Sequence, residues 1–204
     1  MPSDFELPDV SRETSARLTA FSDLLIKWNR TINLVSKSQI NDLKTRHVDD
    51  SLQLLPHIPS DAKVLTDIGS GGGFPGIVLA IAKAETQPSL HFQLIESDQR
   101  KAAFLRTAVC TLSLNATVFC ERIEQTTAEP ADCMTARALA PLSNLLAFAS
   151  GLMVPEGTAI LPKGRHFETE LEDAQKAWHF RHQIYPSLTD SDGQVIVVKD
   201  IRRA

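Results

Sequence analysis

The chain has 204 residues, 43% of them hydrophobic and 23% charged, with a formal net charge of −4. These are the proportions of an ordinary globular protein, sized for one Rossmann-type unit plus a smaller element, and the negative balance argues against coating nucleic acid by bulk charge, while leaving room for a local basic face. No apolar run approaches a membrane span and the opening Met1 to Asp4 is polar rather than a signal sequence, so a cytoplasmic protein without membrane contact is expected.

Residues 11 to 59 read as a helical lobe. Leu18, Phe21, Leu24, Leu25 and Trp28 form an apolar stripe of helical period, and Trp28 is expected in the core rather than as a stacking platform. A second helix is expected from about Ser38 to Leu55, stopped by Pro56 and Pro59. His47, Asp50 and Ser51 then share one helix face at i, i+3, i+4. Ser51 lacks a nucleophile elbow, so the three read as a polar network joining the lobe to the next segment rather than as a catalytic triad. The chain thus divides into a helical N-terminal lobe, 1–59, and a Rossmann-like domain, 60–204.

From residue 63 strands and helices alternate. The first strand, Lys63 to Asp67, runs into glycines at 69, 71, 72, 73 and 76 and a helix over about 75–84. Strand, glycine loop and helix form a nucleotide-type cofactor site, because glycines admit a ligand to the main chain and the helix start offers free N–H groups. Asp67 narrows the cofactor. A carboxylate at the strand mouth repels a pyrophosphate and suits the ammonium and sulfonium groups of S-adenosylmethionine. Gly71 is a further expected loop contact. The second strand, Leu90 to Glu96, ends in an acid 96 − 76 = 20 residues after the last glycine, placed to accept both ribose hydroxyls. NAD sites share that feature. A helix from near Asp98 and a third strand, Ala116 to Cys120, lead to Arg122, Ile123 and Glu124, expected beside an adenine ring.

The fourth strand, Asp132 to Ala136, delivers Arg137 to the edge where ligands of parallel sheets bind. The Asn/Asp-Pro-Pro-aromatic motif of many amine methyltransferases is absent there. An arginine in that place holds phosphate, the cofactor carboxylate or a guanine edge. A helix over 142–153, a strand over 157–162 ending at Lys163, a charged helix over 167–177 and two closing strands, 179–185 and 194–200, complete the chain. The closing strands are joined by Thr189 to Gly193 as an antiparallel hairpin. The fold class is therefore α/β: a mostly parallel sheet with helices on both faces, closed by a hairpin, as in the Rossmann-like class I S-adenosylmethionine-dependent methyltransferases and unlike dehydrogenases. Arg122, Lys163, Arg165 and Lys199 are the candidate RNA-contacting cations. Cys110, Cys120 and Cys133 form no C-x-x-C pair and read as buried reduced thiols, with no metal site.

These pieces, in this order and spacing, closely resemble one family along nearly the whole chain. The matching stretches are Trp28-Asn29…Asn33-Leu34, Arg46-His47…Asp50-Ser51, Asp67 through Gly76, Glu96…Lys101…Phe104-Leu105, Arg122-Ile123-Glu124, Arg137-Ala138 and Lys163-Gly164. The family resembled is the bacterial small-subunit ribosomal RNA guanine-N7 methyltransferases, once called glucose-inhibited division protein B. The resemblance implies methyl transfer from S-adenosylmethionine to N7 of one guanine in the 530 loop of 16S rRNA (guanine 527 in the family's usual rRNA numbering). It implies cofactor contacts at Gly69, Phe74, Ile123, Glu124 and Arg137, with Glu96 on the ribose. It also implies 16S rRNA, the small ribosomal subunit or an assembly intermediate as partner; a monomer is expected. Many relatives carry a basic residue just before the last strand, where this chain has Gln194-Val195. Guanine N7 carries a lone pair and no proton, so no general base is expected and Arg137 is assigned to orientation. The rival readings are an NAD-dependent oxidoreductase, opposed by Asp67 and the closing hairpin, and a non-catalytic ribosome-assembly factor, opposed by the intact glycines and acids. A methyltransferase acting on a small molecule or a protein is a third.

Overall fold

The computed structural model describes residues 6–204; the polar opening Met1 to Asp4 lies outside them. Helix α1 spans Arg12–Asn29, its start capped by the Ser11 hydroxyl, which accepts the Thr14 N–H at 3.0 Å. Its apolar stripe buries Leu18, Phe21 and Leu25. Phe21 meets Phe74 edge-on at 5.4 Å between centroids, and Trp28 lies 5.8 Å from Phe104, so Trp28 is a packing residue.

The second helix begins later than its composition suggests. Residues Lys37–Gln39 form a single 3-10 turn, and regular helix starts only with a π-helical segment, Lys44–Asp49, that runs into the α-helical turn α2, Asp50–Leu52. Asn29 explains the delay. Its side chain accepts the N–H groups of Leu34 and Val35, at 2.7 and 3.0 Å, and donates to the Val35 carbonyl at 3.1 Å. The chain after α1 is thereby held as a loop rather than a helix.

The sheet has seven strands in the order β3-β2-β1-β4-β5-β7-β6. These are β1 Val64–Ile68, β2 His91–Ile95, β3 Ala116–Phe119, β4 Ala131–Thr135, β5 Met153–Lys163, β6 Trp178–Pro186 and β7 Gln194–Arg203. All neighbours from β3 to β5 pair in parallel; β7 is antiparallel to both β5 and β6. Helices α3 (Gly76–Thr86), α4 (Gln99–Thr111), α5 (Leu142–Leu152) and α6 (Phe167–Ala177) cover it. The closing hairpin is as expected, although β5 starts at Met153, where the sequence pattern suggests the end of a helix.

Two apolar clusters flank the sheet. One joins α1 and the rest of the lobe to α3 and α4, through residues such as Phe21, Leu54, Ile77 and Phe104. The other packs α5 and α6 on the opposite face, through Leu145, Leu146, Ala174 and Trp178. The first cluster runs across residue 59 without a break, so lobe and sheet bury each other's apolar surface.

Gly76 opens α3 against β1 at a spacing no side chain fits. A Cβ there would sit 2.5 Å from Leu94 Cδ2 and 2.6 Å from Asp67 Oδ2, neither free to swing away. Gly76→Ala is expected to cost about 1–3 kcal/mol, the usual range for forced overpacking; a denaturant melt matching the unsubstituted chain would contradict this packing.

Candidate functional site

The site forms at the carboxyl edge of β1, β2 and β4, where the parallel strands release their loops. The glycine loop is tied down at several points. The Ser70 N–H donates to the Ile95 carbonyl at 3.1 Å, the Ser70 hydroxyl to the Asp67 carbonyl at 2.8 Å, and the Gly73 N–H to the Ser70 carbonyl at 2.7 Å. Gly69 has φ +66° and lies under Leu139, whose Cδ1 is 2.7 Å from where a Cβ would point. The left-handed backbone favours glycine there, while the exposed Leu139 side chain is free to swing aside. Gly71 also has a positive φ, +51°, but a Cβ there would meet only the Gly69 carbonyl oxygen, at an ordinary 3.7 Å, and the residue lines the cavity.

Asp67 is not at the strand mouth. It lies inside β1, followed by Ile68, and is wholly buried. Its Oδ2 accepts the Gly76 N–H at 3.3 Å and its Oδ1 accepts the Thr135 hydroxyl at 3.0 Å. The carboxylate therefore laces β1 to the start of α3 and to β4, beneath the loop rather than in the cavity above it. Burial pushes its pKa up to about 6, against the pull of the hydrogen bonds from Thr135 and Gly76.

Glu96 follows β2 and is oriented by two backbone donors, Gly71 N–H on Oε2 at 2.9 Å and Asp98 N–H on Oε1 at 2.7 Å. Each carboxylate oxygen has roughly two acceptor positions. One on each is taken by the main chain, which leaves a pair for two hydroxyl donors. Ile123 and Glu124 lie in the short 3-10 turn after β3, Ile123 half-buried and packed against the α5–α6 cluster, Glu124 exposed. Arg122 is exposed and makes no ion pair with Glu124 among the described residues.

The lobe forms the opposite wall. The His47 ring stacks on Phe74 at 4.8 Å, and the Leu34 carbonyl presses on Gly72, 3.2 Å from its Cβ position. Arg137, released by β4, is gripped from the lobe. Its Nη2 donates to His47 Nδ1 at 2.5 Å, and its Nη1 donates to Asp50 Oδ2 and to the Arg46 carbonyl, both at 3.0 Å. Its guanidinium also sits 5.3 Å from the centre of the Phe74 ring. The Arg46 carbonyl it engages belongs to the π-helical segment, whose wider turn is a common feature of functional sites. His47 Nδ1 accepts from an arginine, which puts the ring proton on Nε2, a buried atom with no hydrogen-bond partner among the described residues. Burial, then the charge of Arg137, lower the His47 pKa to about 4. Ser51 donates to the His47 carbonyl at 2.6 Å and touches no imidazole nitrogen in these contacts, so His47, Asp50 and Ser51 make a lobe-to-site network and not a triad.

Between these walls lies a cavity of about 1180 Å³, lined among others by Gly69, Gly71, Phe74, His47, Asp50 and Arg137. Its third wall is the hairpin turn at Thr189, Asp190 and Ser191. Gln53 holds that turn: its Oε1 accepts the Leu188 N–H at 2.8 Å, while the Thr189 hydroxyl donates to Asp50 at 2.8 Å. Neither Gln53 nor the turn was foreseen as part of the site. The available signal was the length of the polar stretch Thr189 to Gly193, more than a tight hairpin needs.

The expected rim cations separate. Lys163 turns inward, bonding Glu170 at 2.5 Å and the Ala140 carbonyl at 3.0 Å, and its charge is matched on the spot. Glu170 also accepts the Leu142 N–H at 2.8 Å. Lys163 thus braces the loop after Arg137. Arg165 is exposed beyond it. Lys199 lies five residues along β7 from Gln194, which pairs with Lys163. At roughly 3.4 Å per residue that is about 17 Å down the sheet from the cavity edge, so Lys199 takes no part in the cavity. Of the cysteines, Cys133 is buried, its thiol pushed up to about 12 by burial; Cys110 is exposed and Cys120 half-buried, against the expectation for all three. No group of three His, Cys, Asp or Glu suited to a metal occurs among the described residues, nor any helix long and apolar enough to cross a membrane.

Asp67 and His47 bias stability in opposite directions with pH. For Asp67 the folded value exceeds the ordinary 3.8, so its contribution is full below that value and is lost as pH rises through about 6. For His47 the folded value is depressed, so its contribution is full above 6.5 and is lost as pH falls through about 4. The two offset each other between these limits. Asp67→Asn removes one of them: relative to the unsubstituted chain, this variant should gain roughly 3 kcal/mol between pH 4 and pH 7, the equivalent of about two pKa units. A stability difference that stays level across urea melts in that range would refute a titrating buried carboxylate.

With this geometry in hand, the comparisons with known proteins are informative. The family model described as GidB, rRNA small subunit methyltransferase G, matches residues 14–196. The ribosomal RNA small subunit methyltransferase G of Gluconobacter oxydans (strain 621H) is 50% identical, over 95% of this chain and 97% of its own. That of Cereibacter sphaeroides (strain ATCC 17029 / ATH 2.4.9) is 46% identical, over 94% and 93%. Among solved structures, an O-methyltransferase from Bacillus cereus in complex with SAH superposes with a TM-score of 0.57 at 17% identity, over 88% of this chain and 90% of that one. A putative O-methyltransferase from Klebsiella pneumoniae gives 0.59 at 13%, over 90% of each. These structural likenesses establish the class I methyltransferase fold; the sequence matches go further, and the chain belongs to the GidB family of small-subunit ribosomal RNA methyltransferases.

Proposed function

We propose that the chain transfers a methyl group from S-adenosylmethionine to N7 of a guanine in the 530 loop of 16S rRNA, guanine 527 in the family's usual rRNA numbering. The observation that carries the reading is the fixed Arg137, held by His47, Asp50 and Arg46 at the edge of a large cavity beside an open glycine loop.

The residues fit the cofactor. Gly71 leaves the main chain open to a ligand, and Glu96 keeps acceptor capacity for two hydroxyls while two N–H groups fix its direction. Ile123 offers a half-buried apolar surface for an adenine ring. S-adenosylmethionine, when bound, supplies an electrophilic methyl on a cationic sulfur.

The chain's own residues then have one task, to hold the guanine in line. N7 is nucleophilic without losing a proton, so orientation supplies the rate and no base is needed. His47 suits this assignment, because burial and Arg137 keep its ring neutral and its Nδ1 occupied. Asp50 balances the Arg137 charge at 3.0 Å, which limits repulsion as the purine becomes cationic. Guanine N7 is inaccessible in the deep major groove of paired RNA, so the substrate is a loop base in the small subunit or an assembly intermediate. The chain acts as a cytoplasmic monomer in this reading. In the division into a lobe, 1–59, and a catalytic domain, 60–204, the second holds the cofactor and presents Arg137, and the first fixes that arginine in place.

Two outcomes test this. Small ribosomal subunits from cells lacking the protein, given radiolabelled S-adenosylmethionine and the enzyme, should take up label at one 16S guanine, mapped by cleavage at 7-methylguanine. Label in protein or at another base would overturn the assignment. Glu96→Gln should weaken binding of S-adenosylmethionine and of its demethylated product alike, about tenfold or more, since a ribose contact does not sense the methyl. Calorimetry showing loss for one of the two ligands alone would rule out the ribose role.

A further inference from the structure

The lower half of the β6–β7 hairpin carries charge that the catalytic reading does not use. Along β6, alternate residues Tyr185, Gln183, Arg181 and His179 point to the face that bears the lobe, as Tyr185 shows by packing with the lobe-side cluster. The lobe covers the top of this face, where the His57 ring lies 4.3 Å from that of Tyr185. Below, the face is open, and His179, Arg181, Lys199 and Arg202 are all exposed.

Their arrangement depends on a bulge. The register runs from Arg181 opposite Lys199 to His179 opposite Arg202, two residues on β6 against three on β7, with Asp200 at φ +55°. In a regular strand, Lys199 and Arg202 would lie on opposite faces. The extra residue brings Arg202 onto the face of Lys199, and bulges are features that re-aim side chains. One cross-strand pair of cations, Arg181 opposite Lys199, results, with His179 opposite Arg202 beside it. Like charges directly opposite each other destabilise a sheet, and the single acid in the two strands, Asp200, is engaged by Arg181. In a chain of net charge −4, these strands hold Arg181, Lys199, Arg202 and Arg203 against that one carboxylate.

We propose that this quartet, His179, Arg181, Lys199 and Arg202, is a docking surface for the phosphate backbone of the RNA substrate, separate from the catalytic cavity. The inference rests on the RNA-methyltransferase reading above. Phosphates offer the complementary charge, and a contact of about this distance below the cavity fits a substrate much larger than one base. Backbone contacts position the RNA without reading its sequence, which relieves the cavity of supplying affinity as well as alignment.

The test is a double variant, Lys199→Gln with Arg202→Gln, two exposed side chains outside the cavity. Binding to small ribosomal subunits and to a 16S rRNA fragment containing the 530 loop is measured across salt concentrations, beside methyl transfer and S-adenosylmethionine binding. The expected result is a salt slope smaller by roughly 1 to 2 for two lost phosphate contacts, with KM for subunits raised and kcat and cofactor affinity unchanged. A slope and KM equal to those of the unsubstituted enzyme would overturn the docking surface while leaving the catalytic reading intact. Equal loss in a charge-matched control on α1, Arg12→Gln with Lys27→Gln, would also overturn it, by tracing the effect to net charge. Absence of methyl transfer to 16S rRNA by the unsubstituted enzyme, with cofactor bound, would instead defeat the catalytic reading and this proposal with it.

Discussion

A carboxylate sealed from water holds the centre of the molecule. Asp67 ties three elements together: its own strand, the start of α3 through Gly76 and the neighbouring strand β4 through Thr135. A buried charge or acid needs every available donor to offset lost hydration, and those donors converge only when the glycine loop takes its observed course. The loop geometry is therefore a condition of burying Asp67. Gly76 must be glycine because this carboxylate passes so close, and the Gly71 N–H above it is held from the side by Glu96.

Arg137 does for the lobe what Asp67 does for the sheet. It leaves β4 just beyond Thr135, the residue that Asp67 holds, and reaches across to His47, Asp50 and the Arg46 carbonyl. Two polar links thus run in series, from the buried core of the sheet to the surface of the lobe. The apolar cluster beneath supplies most of the adhesion between the two layers, since area removed from water scales with burial and not with polar contacts. The polar series fixes their alignment. That division suits the role proposed for the site, holding a base at a set angle, because directional bonds control orientation far better than apolar packing does.

Much of the architecture is legible in the sequence because it obeys local rules. Alternating strands and helices, the glycine loop after β1 and the acid after β2 each follow from period and spacing, and the closing hairpin follows from its turn. What is not legible depends on contacts between distant segments. The late start of the second helix traces to the Asn29 side chain binding backbone at 34 and 35, a choice invisible to helix propensity. Asp67 has the sequence of a ligand-facing acid, yet one further strand residue and a neighbouring Thr135 put it underground. Lys163 has the sequence of a rim cation, and Glu170 on α6 draws it inward. Gln53 and the turn at 189–191 meet across more than 130 residues, a distance no motif spans. In each case a polar side chain found a partner that spacing along the chain does not reveal.

Net charge misleads here for a related reason. An overall balance of −4 describes the far field, while an RNA strand within a Debye length of about 8–10 Å senses the local sign. The acids of this chain are partly spent internally: Asp67 is buried, Asp50 faces Arg137, Asp49 faces Lys44 and Glu170 faces Lys163. The bases on the open face of β6 and β7 face far less opposing charge. If the proposed docking surface holds, such a distribution would repel polyanions at long range and admit them in one orientation, favouring a correctly presented loop over RNA met at random. On the docking proposed above, selection of one base in a large particle would begin before the base reaches the cavity, in the uneven placement of charges whose sum says nothing about it.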